Sequence, residues 1–136
     1  MTWLRLAAAE FGVLDKYQWP KDQYAIFGSG PLAVRGIKPL KDVDVTVTQE
    51  LWDRLLAEGH RPDSRGVIVL DGAIDVWRGY PGVNVDAVIA GAEMINGYPF
   101  ATLEAVKAWK QAFGRDKDKA DLALLEQWER RQTASS

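Results

Sequence analysis

Asp42 and Asp44, separated by one valine in "KDVDVTV", are the most chemically pointed spacing in the chain. On a β-strand, residues i and i+2 share a face. The two carboxylates would project together while Val43 and Val45 turn into packing. Carboxylates so placed repel each other unless a cation or a shared proton relieves them. Oxygen-only ligands suit a hard divalent ion such as Mg²⁺, which also takes substrate phosphate oxygens. Upstream, Gly28–Ser29–Gly30 forms a turn between an apolar run and a short helix with Pro31 near its start. Backbone N–H groups at such a turn, together with the helix dipole, favour a phosphate. A third acid, Asp75, alternates with Ile74 and Val76 in "AIDVW". Asp86, in "VNVDAVI", competes for that third place.

Each feature has a plain structural alternative. Gly-Ser-Gly turns are common, and an Asp-Val-Asp run is more often the wet face of an edge strand. "RDKDKAD" can simply open a solvated helix, with Lys117 and Asp121 as an i, i+4 pair. What favours chemistry is the order and spacing of the turn, the acid pair and the later single acid.

These residues need elements to hold them. "YAIFG" (24–28) reads as a strand stopped by glycine, and "PLAVRG" as a short helix closed by Gly36. "DVDVTVT" reads as a strand by its alternation and β-branched content. "QELWDRLLAEG" is an amphipathic helix with Leu51, Trp52, Leu55 and Leu56 as its stripe and Gly59 as its stop. Val67 to Leu70 and Ala73 to Trp77 form a hairpin through Asp71–Gly72. "PGVNVDAVIAGA" fits either a helical turn or a strand. Asn96–Gly97 marks another turn. "TLEAVKAWKQAFG" is a helix capped by Thr102, with Leu103, Val106, Ala108 and Phe113 as apolar positions and Gly114 as its stop. A last helix starts near Asp116, its candidate cap. At the N-terminus, Trp3, Leu4, Ala7, Ala8, Phe11 and Leu14 give a core helix rather than a signal peptide, because Arg5 and Glu10 interrupt the apolar run. Trp52, Trp77 and Trp109 read as core. His60, the one histidine, reads as a surface-loop residue.

The 136 residues suit one domain, with a core over about residues 24–126 and a frayed polar tail at 132–136. Strands interleaved with helices point to an α/β or α+β layer structure: a mixed central sheet flanked by helices. The formal charge of −2 argues against broad electrostatic attachment to nucleic acid. With no cysteine, thiol chemistry, disulfides and cysteine-based zinc sites are excluded. That fits a cytoplasmic protein, and no run approaches the roughly 18 apolar residues of a membrane span.

Gly28–Ser29, then Asp42-Val43-Asp44-Val45, then Asp75 in "IDV", resembles the nucleotidyltransferase superfamily that includes DNA polymerase beta. Within it, the chain resembles more closely the small prokaryotic minimal nucleotidyltransferases and the abortive-infection toxin nucleotidyltransferases. Their closing pattern is matched by Lys110 and then Gly114, Arg115, Lys117, Asp118 and Asp121 in "GRDKDKAD". The sequence departs from the pattern at Asp116, where relatives often carry proline, and at Lys38 and Lys41, where an arginine–threonine pattern is common.

The resemblance implies the nucleotidyltransferase fold. It implies an enzyme that moves an NMP from an NTP to a hydroxyl on a small molecule, protein or RNA, releasing pyrophosphate. Asp42 and Asp44 would bind Mg²⁺, with Mn²⁺ as the alternative ion, and Asp75 would complete the metal site. Gly28 and Ser29 would hold the β- and γ-phosphates, with Lys110 or Lys117 on the triphosphate or the acceptor. A nucleic-acid acceptor is allowed though not implied by charge, and a second subunit is one way for so small a domain to complete its acceptor site. The alternative is a non-catalytic nucleotide-binding or toxin–antitoxin module of the same fold.

Overall fold

The structure, a computed structural model, describes residues 11–40, 42–79 and 83–135. Six strands form one mixed sheet. They are β1 (Tyr24–Phe27), β2 (Val43–Val47), β3 (Val67–Leu70), β4 (Ile74–Trp77), β5 (Glu93–Ile95) and β6 (Tyr98–Phe100). Their order across the sheet is β3-β4-β2-β1-β6-β5. β2 runs parallel to β4 and antiparallel to β1, and β1 is parallel to β6. β2 is therefore an interior strand, so Asp44 does not stand on a sheet edge.

Two tight turns set the outer registers. Asp71 and Gly72 both take positive φ, as do Asn96 and Gly97, the backbone that favours Asn, Asp and Gly at hairpin turns. The first turn joins β3 to β4 with Leu70 opposite Ile74, and the second joins β5 to β6 with Ile95 opposite Tyr98. The sequence signals only a turn at Asn96–Gly97, because three-residue strands are too short to show alternation.

Helices cover both sheet faces. On one side lie α1 (Gly30–Ala33) and α2 (Gln49–Ala57). The Thr48 hydroxyl accepts from the Leu51 N–H at 3.2 Å and caps α2. Leu51 and Leu55 bury there against Val43, Val45, Val47, Ile74 and Val76. A 3₁₀ helix, Gly12–Tyr17, adds Phe11 and Leu14 to this core and ends at Gln18 in the left-handed region. Of the expected N-terminal helix, Phe11 is α-helical and Leu14 falls in the 3₁₀ segment; Trp3, Leu4, Ala7 and Ala8 lie outside the described residues. Phe11, Leu14 and Trp19 are buried in this core.

On the other side lie α3 (Val85–Ala90), α4 (Leu103–Phe113) and α5 (Asp116–Ser135). Asn84 caps α3 through the Ala87 N–H, and Thr102 caps α4 through the Ala105 N–H. The ambiguous "VDAVIA" is helical because that cap and the buried Val85 and Ile89 serve a helix face. Val106 and Lys110 are the buried positions of α4, while Ala108 is exposed. The last helix continues to Ser135. Among the described residues no helix is long and apolar enough to cross a membrane.

Trp52, Trp77 and Trp109 are half-buried and pack against the core clusters, and among the described tryptophans Trp19 is the buried one. His60 is half-buried in its loop.

Candidate active site

The sheet register builds the site. Phe27, Asp44 and Asp75 stand abreast on β1, β2 and β4, and Ala25, Thr46 and Trp77 form the next row on the same face. The second row lies beneath α3 and α4. The first row lies at the open end of that face, where two acids can reach solvent. Val43 and Val45 bury on the opposite face, 3% and 0% exposed, as the alternation requires.

Asp42 precedes β2 and is exposed, while Asp44 and Asp75 are half-buried. All three border one cleft of about 350 Å³, with Arg65 and Lys117 on its rim. An adjoining cleft of about 150 Å³ runs from Asp42 and Asp44 over Gly28 and Ser29 to Lys38 and Lys110. The turn, the acid pair and the later acid therefore meet. Asp86 does not join them: it stands on α3, 72% exposed, 3.9 Å from Arg78.

Asp44 is electrostatically under pressure. Burial pushes its carboxyl up to about 6, and the charges of Asp75 and Asp42 push the same way. The Trp77 indole N–H donates to Asp44 Oδ1 at 3.3 Å and opposes the rise, as does the Lys117 charge. Asp75 is also raised, first by burial, with Asp42 and Asp63 adding to it and Arg65 opposing.

Gly28 is tied to the same carboxylate. It has φ +69°, and a Cβ there would stand 2.7 Å from Asp44 Oδ2. The glycine thus serves a left-handed backbone and the close approach of the acid. Ser29 follows at the start of α1, with its hydroxyl 3.4 Å from the Asp42 carbonyl. α1 has only four residues, so the expected dipole contribution is that of a single turn. The backbone of the turn carries most of what the cradle could offer.

The expected lysines separate. Lys117 is exposed and faces both clefts. Lys110 is buried and bound into the fold. Its ammonium lies 2.9 Å from Asp121 Oδ2 and 3.8 Å from Asp118 Oδ1, and Lys38 closes the other Asp121 oxygen at 2.8 Å. Asp121 therefore pairs with Lys110 and Lys38, not with Lys117. Arg115 holds Asp118 through Nε at 2.7 Å. Its backbone N–H also donates to Asp118 at 3.2 Å, the backward half of a capping box, and Asp116 is the first helical residue rather than the cap. Burial works against both buried acids, yet their hydrogen bonds to these cations hold them below the usual carboxylate range.

The donor chemistry fits a hard divalent ion: oxygen-only carboxylates on one cleft, with Asp44 short of compensating positive charge. Among the described residues, no three acidic or histidine side chains are gathered as a ready-made ligand set.

Sequence reasoning missed Arg65, the Trp77–Asp44 hydrogen bond, and the acids that bury Lys110. The last had a signal. Lys110 lies four residues after Val106, on the apolar stripe of an amphipathic helix, and a lysine there needs acidic partners. Comparison with protein-family models, with curated proteins and with solved structures found no match.

Proposed function

We propose that the chain is a divalent-metal-dependent nucleotidyltransferase that moves an NMP from an NTP to a hydroxyl acceptor. The observation that carries this reading is the register of Asp44 beside Asp75, with Asp42 and the Gly28–Ser29 turn on the same clefts. Asp42, Asp44 and Asp75 would hold Mg²⁺ or Mn²⁺. A divalent ion held there supplies charge stabilisation at the α-phosphate and leaving group and eases ionisation of the acceptor hydroxyl.

The chain's own residues do the rest. The Gly28–Ser29 turn receives the β- and γ-phosphates, with the exposed Lys117 as the lysine that reaches them. Lys110 and Lys38 fix α5 and the segment before β2 instead. The acceptor oxygen forms a new bond to the α-phosphorus as the bond to the bridging oxygen breaks and pyrophosphate leaves. Asp75 takes the hydroxyl proton and passes it to solvent; its raised affinity for a proton suits that role. The nucleotidyltransferase fold is part of the same proposal, supported by the mixed sheet and its acid-bearing interior strand.

A second reading is a nucleotide-binding module without turnover. The observation in its favour is that the acids are not gathered as a ligand set among the described residues. Calorimetry with ATP and Mg²⁺, followed by assay of pyrophosphate release, separates the two. Binding with release supports the enzyme; binding without release across acceptors supports the module; no binding removes both.

A further inference from the structure

Arg65 stands on the acid cleft, in the loop before β3. Its neighbourhood is built to hold it still. The Asp63 carboxylate accepts from the Arg65 N–H at 2.8 Å and the Val67 N–H at 3.2 Å. Asp63 also pairs with Val67 through the backbone. Through its other oxygen, Asp63 takes Nε at 3.1 Å and Nη2 at 2.8 Å. One edge of the guanidinium is therefore engaged, and its Cζ lies 6.0 Å from the centroid of the Trp77 ring.

The remaining edge faces the cleft. Nη1 is 3.8 Å from Asp75 Oδ2, too long for a hydrogen bond, and the side chain is 52% exposed. Lys38 and Lys110, on the Ser29 side, are engaged by Asp121. Arg65 thus brings a pre-positioned planar donor to the Asp75 side, away from the turn. Such a fork matches carboxylate and phosphate oxygens, and fixing it beforehand lowers the entropic cost of binding.

We infer that Arg65 reads an oxyanion, a phosphate or a carboxylate, carried by the acceptor beside its reacting hydroxyl. This rests on the nucleotidyl-transfer reading, because that reading makes the Asp75 side the acceptor side. An acceptor with such a group would be oriented between Arg65 and Asp75, while the nucleotide occupies the Ser29 side.

The test titrates inorganic phosphate, and acetate in parallel, into the full chain with Mg²⁺ and saturating α,β-methylene-ATP. Wild type should bind at least one anion, and which one tells phosphate from carboxylate. Arg65→Gln should weaken that binding by about tenfold or more, and Arg65→Lys by less, since it keeps the charge but loses the fork. Arg61→Gln removes the same charge from the same loop, outside the cleft, and should leave binding within about twofold. Equal binding by Arg65→Gln and wild type, equal losses in the Arg61 and Arg65 variants, or no anion binding by wild type would overturn the assignment. If wild type fails to bind the ATP analogue, the nucleotidyl-transfer reading falls by itself. The same titrations without nucleotide then decide whether Arg65 is an anion site.

Discussion

Asp44 is where fold and proposed chemistry pull in opposite directions. Its carboxyl is raised from 3.8 to about 6, mainly by burial. The folded chain therefore holds a proton there that the unfolded chain has released, so this residue's contribution to stability falls as pH rises from about 4 to 6. In EDTA at pH 7, Asp44→Asn should raise stability by about 1 to 2 kcal/mol, scaled down for the residue's partial exposure. At pH 4 the gain should vanish, which urea titrations at the two pH values would show. A destabilised Asn variant at pH 7 would mean that the carboxylate is already compensated. Gly28 reports on the same point from the backbone side. Gly28→Ala adds a strained left-handed residue, about 1 to 2 kcal/mol, and drives a methyl against Asp44. It should lower Mn²⁺ affinity by more than tenfold in a paramagnetic-relaxation titration; unchanged affinity would separate the turn from the metal ligands.

Among the elements, α5 is bound to the rest by buried charge as well as by the fully buried Leu125. Lys110, Asp118 and Asp121 are 4%, 1% and 8% exposed. Removing one partner leaves buried charge uncompensated. Lys110→Met should therefore cost about 3 to 5 kcal/mol in urea unfolding, against less than about 0.5 kcal/mol for the exposed Lys117→Met. Equal effects would contradict the division between a structural and a solvent-facing lysine. Asp118 and Asp121 are held low, so their contribution is present above the ordinary carboxylate value and is lost as pH falls below it, opposite in sign to Asp44. This scale also shows what the sequence could reveal. β1, β2, the β3–β4 hairpin, α2 and α4 were legible because alternation, helical stripes, caps and turn glycines all agree locally. The acid row at Asp44 and Asp75 was legible as two alternating strands, but their adjacency depends on a parallel pairing across α2. The Lys110–Asp121 pair and the Arg65 position depend on how α5 and the 60–66 loop fold back. Local pattern does not encode those distances.

At the scale of the molecule, the sheet divides its labour by face. One face is closed by α1, α2 and the 3₁₀ segment over a continuous apolar core. The other carries the row of Ala25, Thr46 and Trp77 under α3 and α4 and, beyond it, the row of Phe27, Asp44 and Asp75. Half-buried acids on two adjacent interior strands, Asp44 on β2 and Asp75 on β4, weaken the fold unless something binds them, and in the proposed function that is a divalent ion with an NTP. The most direct measurement is transfer of label from α-³²P-NTP in Mg²⁺, with a panel of hydroxyl acceptors, comparing wild type with Asp44→Asn. The account predicts label on an acceptor with wild type, and a loss of at least a hundredfold in the variant, consistent with removal of charge stabilisation worth about 3 kcal/mol or more. Equal transfer by the two proteins would contradict it.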